Sequence, residues 1–167
     1  MLSLNLNNFL MYFSIAWGTN IALNFLYVIK RYFPKFNKLD YPIDFKLRYK
    51  KNRLLGDSTT IIGLILSFII GLIIYSITLN IIWALIPLIV YFGHLLGSFI
   101  KRRMNKNGGQ FVPVIDHGDY MLLLGISFVL LNYISVPFAL LALVLTYILH
   151  PVACLIAFKL KLRENPY

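Results

Sequence analysis

From Asn80 to Ile100 the chain reads NIIWALIPLIVYFGHLLGSFI, and the next three residues, Lys101, Arg102 and Arg103, are all cations. A helix of roughly 20 apolar residues crosses a ~30 Å hydrocarbon core, and a run of that length ending in positive charge has the form of a membrane span stopped at a headgroup layer. Moving outward, similar runs occupy about Phe9 to Ile29, Ser58 to Ser76, Tyr120 to Ile134 and Val136 to Phe158. The fourth is short, and a tight turn around Asn132 to Pro137 separates it from the fifth. The expectation is an all-α, polytopic integral membrane protein with five transmembrane helices. Residues 1–167 then form a single membrane domain, with loops at 30–57 and 101–119.

Composition agrees. Of the 167 residues, 59% are apolar and 13% charged, whereas soluble domains carry about 25% charge. Five spans of about 20 residues leave roughly 67 for everything else. That is too few for a separate Rossmann or P-loop domain, so any chemistry has to sit on helix ends and their connecting loops. The lone Cys154 excludes an intrachain disulfide and has the look of a small packing residue in an apolar run.

There are 16 Lys and Arg against 6 Asp and Glu, a net charge of +10. Such a balance can mark a nucleic-acid binder, but the hydropathy argues for no nucleic acid. The cations also sort by segment. Nine (Lys30, Arg31, Lys35, Lys38, Lys46, Arg48, Lys50, Lys51, Arg53) fall between spans one and two, four (Lys101, Arg102, Arg103, Lys106) between three and four, and three (Lys159, Lys161, Arg163) after span five. The positive-inside rule then puts the N-terminus outside and the C-terminus in the cytoplasm. Met1 to Asn8 holds no Lys or Arg, unlike the basic start of a signal peptide. A basic face also attracts anionic headgroups at ~1 kcal/mol per cation, which by itself accounts for a basic loop in any membrane protein.

Two stretches on the cytoplasmic side are more than connectors. One is Pro42-Ile43-Asp44-Phe45 followed by Asn52 to Gly63, which runs into span two. Gly56 permits a tight turn, Asp57 or Ser58 is suited to cap the helix, and the hydroxyls of Ser58, Thr59 and Thr60 cluster on its first turn. A helix N-terminus with free N–H groups favours a phosphate, although an ordinary capped helix explains the same residues. The other is Gly93 to Arg103, continuing through Gly108 and Gly109 to Pro113-Val114-Ile115-Asp116-His117-Gly118-Asp119-Tyr120. Gly93 and Gly97 form a pair suited to close helix packing. Ser98 and Arg102 lie at i and i+4 on one face. Asp116 and Asp119, at i and i+3, can address one hard cation. Carboxylates beside hydrocarbon are costly and are kept chiefly where they bind something. His117 is expected to point away from the two acids, and His150, inside span five, reads as packing. Oxygen ligands, several cations and a glycine-rich turn suit phosphoryl or nucleotidyl transfer, where catalysis is mostly positioning and charge neutralisation.

At these residues the sequence resembles the CDP-archaeol synthase family, membrane CTP-dependent cytidylyltransferases distantly similar to phosphatidate cytidylyltransferases. The matching blocks are Pro42 to Phe45, Asn52 to Gly63, Gly93 to Arg103 and Pro113 to Tyr120, in the right order and at the right helix ends. The resemblance implies transfer of CMP from CTP to an acidic membrane lipid of archaetidic or phosphatidic type, giving a CDP-lipid and pyrophosphate on the cytoplasmic face of the cell membrane. It implies Mg²⁺ at Asp116 and Asp119, with Lys101, Arg102 and Arg103 on phosphates. It also implies a phosphate pocket at Gly56, Asp57, Ser58, Thr59 and Thr60, with Ser98, Gly108 and Gly109 nearby. Two positions depart from the family pattern. Thr59 stands where the family has Lys, and His94 where it has an acid implied to bind the metal. His94 is therefore a metal ligand, a phosphate donor, or the mark of a divergent member that binds lipid or nucleotide without turnover.

Overall fold

The computed structural model describes residues 6–33, 35–36, 40–49, 52–106, 110 and 112–162, apart from the side chains of Tyr27 and Arg31. Five helices dominate it: α1 (Leu6–Tyr32), α2 (Ile61–Thr78), α3 (Ile81–Arg103), α4 (Pro113–Leu130) and α5 (Val136–Lys159). All five are long and apolar enough to cross a membrane. The chain is a multi-pass helical membrane protein.

Helix α3 is the hub, packed on α1, α2 and α4, while α5 lies against α4. Its contact with α2 works because α2 turns only small residues inward: Gly63, Ser67 and Gly71, spaced i, i+4, i+8, are its buried positions. A Cβ on Gly71 would press on the Ala84 carbonyl, so the backbones approach as small-residue interfaces allow. Tyr12, Ile86, Val90, Tyr120, Met121, Leu124 and Phe128 fill the centre. Outward-facing Phe68, Leu72 and Ile73 on α2 and Leu140, Val144 and Ile148 on α5 stay exposed, as expected of surfaces solvated by lipid. Helix α1 reaches α5 as well, through the stacked rings of Phe9 and Phe138 at 4.9 Å and a hydrogen bond from Trp17 Nε1 to Thr146 Oγ1 at 3.3 Å.

Two local features differ from expectation. The fourth span starts at Pro113 rather than Tyr120, because proline at the first helical position already has helical φ and Asp116 reaches back to the helix start. Its Oδ2 accepts from the Val112 N–H at 2.6 Å. Second, the α1–α2 connection contains a small hairpin, β1 (Arg48–Tyr49) paired antiparallel with β2 (Asn52–Arg53).

Candidate active site

The hairpin is organised by one buried carboxylate. Asp44 accepts from Arg53 Nη2 at 2.6 Å and from the N–H groups of Leu55 and Lys46, each at 3.0 Å. Burial alone would push its carboxyl up, but these donors outweigh burial and hold it below the ordinary carboxylate value. The loop is tied to α2 by an isolated bridge between Pro42 and Thr60, with hydrogen bonds Ile43 N–H to Thr59 O and Ile61 N–H to Tyr41 O at 3.0 Å.

That arrangement fixes the start of α2. Thr60 is the N-cap, its hydroxyl accepting from the Gly63 N–H at 3.4 Å, in place of the expected Asp57 or Ser58. Residues 57–59 belong to the turn that pairs with residue 43, so the helix cannot begin there. The Thr59 hydroxyl is buried and donates to Gly56 O at 3.0 Å. Ser58 is exposed, and Asp57, also exposed, pairs with Arg53. Tyr91 of α3 donates its hydroxyl to Thr60 O at 2.7 Å.

The α3 cations divide into two kinds. Arg102 and Arg103 serve backbone carbonyls: Arg102 Nε donates to Leu55 O at 3.1 Å and its Nη1 to Lys106 O at 2.5 Å, and Arg103 Nη2 donates to Arg53 O at 2.9 Å. Arg102 lies so close over Gly56 that a Cβ there would sit 2.5 Å from its Nη2. Asn52 closes the junction, donating to Arg102 O at 3.1 Å and to Asn105 Oδ1 at 2.7 Å. Lys101 instead meets Asp116 Oδ1 at 2.5 Å.

Asp119 lies across the α3–α4 interface, where Gly97 leaves room for it; a Cβ on Gly97 would overlap the carboxylate. Gly93, in the preceding turn of α3, does the same for the Tyr120 backbone. His94 Nδ1 stands 3.3 Å from Asp119 Oδ1 and 3.4 Å from Oδ2, and its Nε2 stands 3.1 Å from Asn20 Oδ1 on α1. Ser98 is buried in α3. Gly108 and Gly109 lie outside the described residues. His117 turns away from the two acids toward His150, with 2.7 Å between their Nδ1 atoms. His150 is therefore half of a histidine pair between α4 and α5, rather than packing alone, and Cys154 Sγ is 3.6 Å from its Nδ1.

Sequence reasoning passed over Asn20, Asn24 and the organising role of Asp44. The amide pair was visible as two asparagines at i, i+4 inside an apolar run, and Asn24 Nδ2 does donate to Asn20 O at 2.8 Å and to its Oδ1 at 3.0 Å.

A divalent cation suits Asp116 and Asp119. Mg²⁺ at phosphate sites is held by one or two carboxylates and completes its shell with water and substrate oxygens. The two acids sit a turn apart, 23% and 11% exposed. Among the described residues no group of three or more His, Cys, Asp or Glu forms an all-protein cage.

A family model described as CarS-like, CDP-archaeol synthase, matches residues 22–167. The CDP-archaeol synthase of Sulfolobus acidocaldarius is 32% identical over 143 residues, 79% of this chain and 86% of that one. The CDP-archaeol synthase of Pyrobaculum arsenaticum is 27% identical over 164 residues, 93% and 97% of the two chains. Among solved structures, an intramembrane enzyme for archaeal membrane lipid biosynthesis superposes with a TM-score of 0.58 at 29% identity, over 68% of this chain and 78% of that one. Fold and family match together are those of a membrane nucleotidyltransferase. The chain belongs to the CDP-archaeol synthase family of membrane cytidylyltransferases, and the reading without turnover is not favoured.

Proposed function

We propose that this chain transfers CMP from CTP to an acidic lipid of archaetidic or phosphatidic type at the cytoplasmic face of the membrane. An oxygen of the lipid phosphate attacks the α-phosphorus of CTP in line. The bond to the bridging oxygen of the β-phosphate breaks, and pyrophosphate leaves with that electron pair. The observation that carries the reading is the convergence of Lys101 and Asp116, 2.5 Å apart, with Asp119 in the next turn of α4, at the membrane end where the loop cations gather. The Lys101 ammonium, a compact three-donor charge, offsets the repulsion between two anionic reactants. Arg102 and Arg103 keep the 52–56 segment seated beside it, and the turn at Gly56 to Thr60 forms one wall. Asp116 and Asp119 would hold Mg²⁺, which when bound neutralises triphosphate charge and stabilises the leaving pyrophosphate. The lipid chains stay in the bilayer, so the reacting phosphate waits at the interface where CTP arrives.

The test is direct. Purified protein supplied with labelled CTP, Mg²⁺ and a panel of archaetidic and phosphatidic acids should yield CDP-lipid and pyrophosphate in equal amounts. Absence of CDP-lipid with every acid, in Mg²⁺ and in Mn²⁺, overturns the proposal.

A further inference from the structure

From Phe45 to Tyr49 the chain reads FKLRY, apolar and cationic residues in strict alternation, and all five are exposed. Phe45, Leu47 and Tyr49 are 70%, 58% and 57% exposed, an uncovered apolar surface of the kind that marks an interaction site. A turn held against its residue preference presents them. The Leu47 N–H donates to Asp44 O at 2.8 Å, and the two residues between, Phe45 and Lys46, have φ of 48° and 63°, a left-handed backbone normally left to Gly or Asn. The Asp44 carboxylate fixes this turn by accepting from the Lys46 N–H at 3.0 Å. Such outliers point to a role for what they display.

Helix α3 shows where the strand lies. Leu96, Phe99, Ile100 and Arg103 are spaced i, i+3, i+4, i+7 and share one face of that helix, and the first three are exposed like the lipid-facing residues of α2 and α5. Arg103 is thus the point at which a lipid-facing stripe reaches the headgroup layer. Its guanidinium carbon is 5.0 Å from the centre of the Phe99 ring and 5.2 Å from that of Tyr49, within cation–π range. The strand therefore overhangs the lipid beside α3, with the Tyr49 ring on the side toward the membrane. A bond from the Leu54 N–H to Leu47 O at 3.0 Å extends the ladder to residue 47. Side chains alternate along a strand, so Leu47 shares the side of Tyr49 and Arg48 takes the other. Arg48 stands across the ladder from Arg53, and like charges so placed repel. Arg53 is matched by Asp44 and Asp57, whereas neither Lys46 nor Arg48 has an ion-pair partner among the described residues.

We infer that residues 45–49 are an in-plane membrane anchor. Leu47 and Tyr49, with Phe45 ahead of them, enter the boundary between headgroups and hydrocarbon beside α3, and Lys46 and Arg48 take the phosphates of anionic lipids in the same leaflet. A segment with apolar residues on one face and cations on the other seats itself at this depth. Tyrosine is favoured there, and each cation near an anionic surface adds to the attraction. The anchor is tied to the candidate site, because the same Arg103 donates from Nη2 to Arg53 O at 2.9 Å. The inference goes beyond the transfer reaction and does not depend on it.

The experiment reads the depth of single side chains. Full-length protein with Cys154→Ala carries a nitroxide at Leu47→Cys, at Tyr49→Cys or at Arg48→Cys and is placed in nanodiscs of phosphatidylcholine and phosphatidylglycerol. Collisions with oxygen, which concentrates in the bilayer, are compared with collisions with a water-soluble nickel chelate. The oxygen-to-nickel ratio should be severalfold higher at 47 and 49 than at 48. Lys46→Gln combined with Arg48→Gln should lower the seated-to-free ratio reported at 47 by on the order of tenfold, and replacing phosphatidylglycerol with phosphatidylcholine should lower it in the same direction. Equal, water-like ratios at all three positions overturn the inference. A ratio at 47 that ignores both the double variant and the lipid exchange overturns it as well, since the phosphates then play no part. Shielding of 47 from both reagents would mean that a protein surface covers the strand, and would likewise overturn it.

Discussion

Two polar regions meet at the same end of the helix bundle and differ in how much of their bonding goes to backbone. In the hairpin and its junction with α3, side-chain pairs such as Asp44 with Arg53 are backed by many contacts to backbone: Asp44 to the Leu55 and Lys46 N–H groups, Arg102 to Leu55 O and Lys106 O, Arg103 to Arg53 O. On the α3–α4 face the side chains meet one another, Lys101 with Asp116 and His94 with Asp119. A backbone carbonyl that loses its donor is left unsatisfied in place, so the first kind of contact builds shape. A lysine and a carboxylate that neutralise one another, as Lys101 and Asp116 do, can be drawn apart by an incoming charge, so the second kind can exchange partners for a substrate. Adjacent cations in one sequence run, Lys101 and Arg102, therefore do different work.

The largest effect that would sharpen this contrast is expected at Asp119. Asp119→Asn should lower CDP-lipid synthesis by on the order of 10²–10³-fold while leaving the thermal melting of the protein nearly unchanged. Equal losses of melting temperature and activity would place Asp119 among the structural groups instead. Gly56→Ala should do the converse. Its methyl collides with the Arg102 guanidinium, and a displaced Arg102 costs about 1–3 kcal/mol, read as a lowered melting temperature with activity falling in step.

Arg102→Lys is a subtler way to break the comparison. It keeps the charge but cannot serve Leu55 O and Lys106 O with one rigid fork. Stability should fall by about 1–2 kcal/mol, with KM for CTP changed less than threefold or so. A much larger rise in KM at unchanged stability would mean that Arg102 holds phosphate. Thr60→Ala removes the cap of α2 and should cost ~1 kcal/mol, measurable as faster amide exchange in the first turn of that helix.

The smallest expected effect is that of acid on the hairpin. Because the Asp44 carboxyl titrates below its ordinary value in the folded loop, its stabilising contribution is complete above the unfolded-state pKa of about 4 and is lost as pH falls through the lower folded value. Protection factors at Lys46 and Leu55, taken relative to the intrinsic exchange rate at each pH, should fall only in that acid range, and Asp44→Asn should remove the acid dependence. Protection factors that fall already between pH 5 and 7 would exclude Asp44 as the anchor.

Much of this was legible before any coordinates. Apolar runs of span length announce the five helices, since no compact soluble domain can hide that many apolar residues. The small residues Gly93 and Gly97 pointed to a close helix contact, and the structure shows what approaches: the Tyr120 backbone and the Asp119 carboxylate. Helix starts were less legible, because they depend on pairing that is distant in sequence. Thr60 caps α2 only because Tyr41 and Ile43 pair with the strand-like residues on either side of it. Asn20 went unremarked for a related reason. An amide inside an apolar run carries no formal charge, and its importance is visible only once His94, far along the chain, is seen to face it.

The placement of α3 at the hub has a consequence for how the polar centre comes into being. Synthesis runs from the N-terminus, so α1 and α3 are in hand before α4 has been made, and His94 can meet Asn20 while Asp119 does not yet exist. The Asp119 carboxylate arrives last, with α4. In this protein the order of residues along the chain is also an order of construction: the helices that carry Asn20 and His94 are made before the helix that brings Asp119.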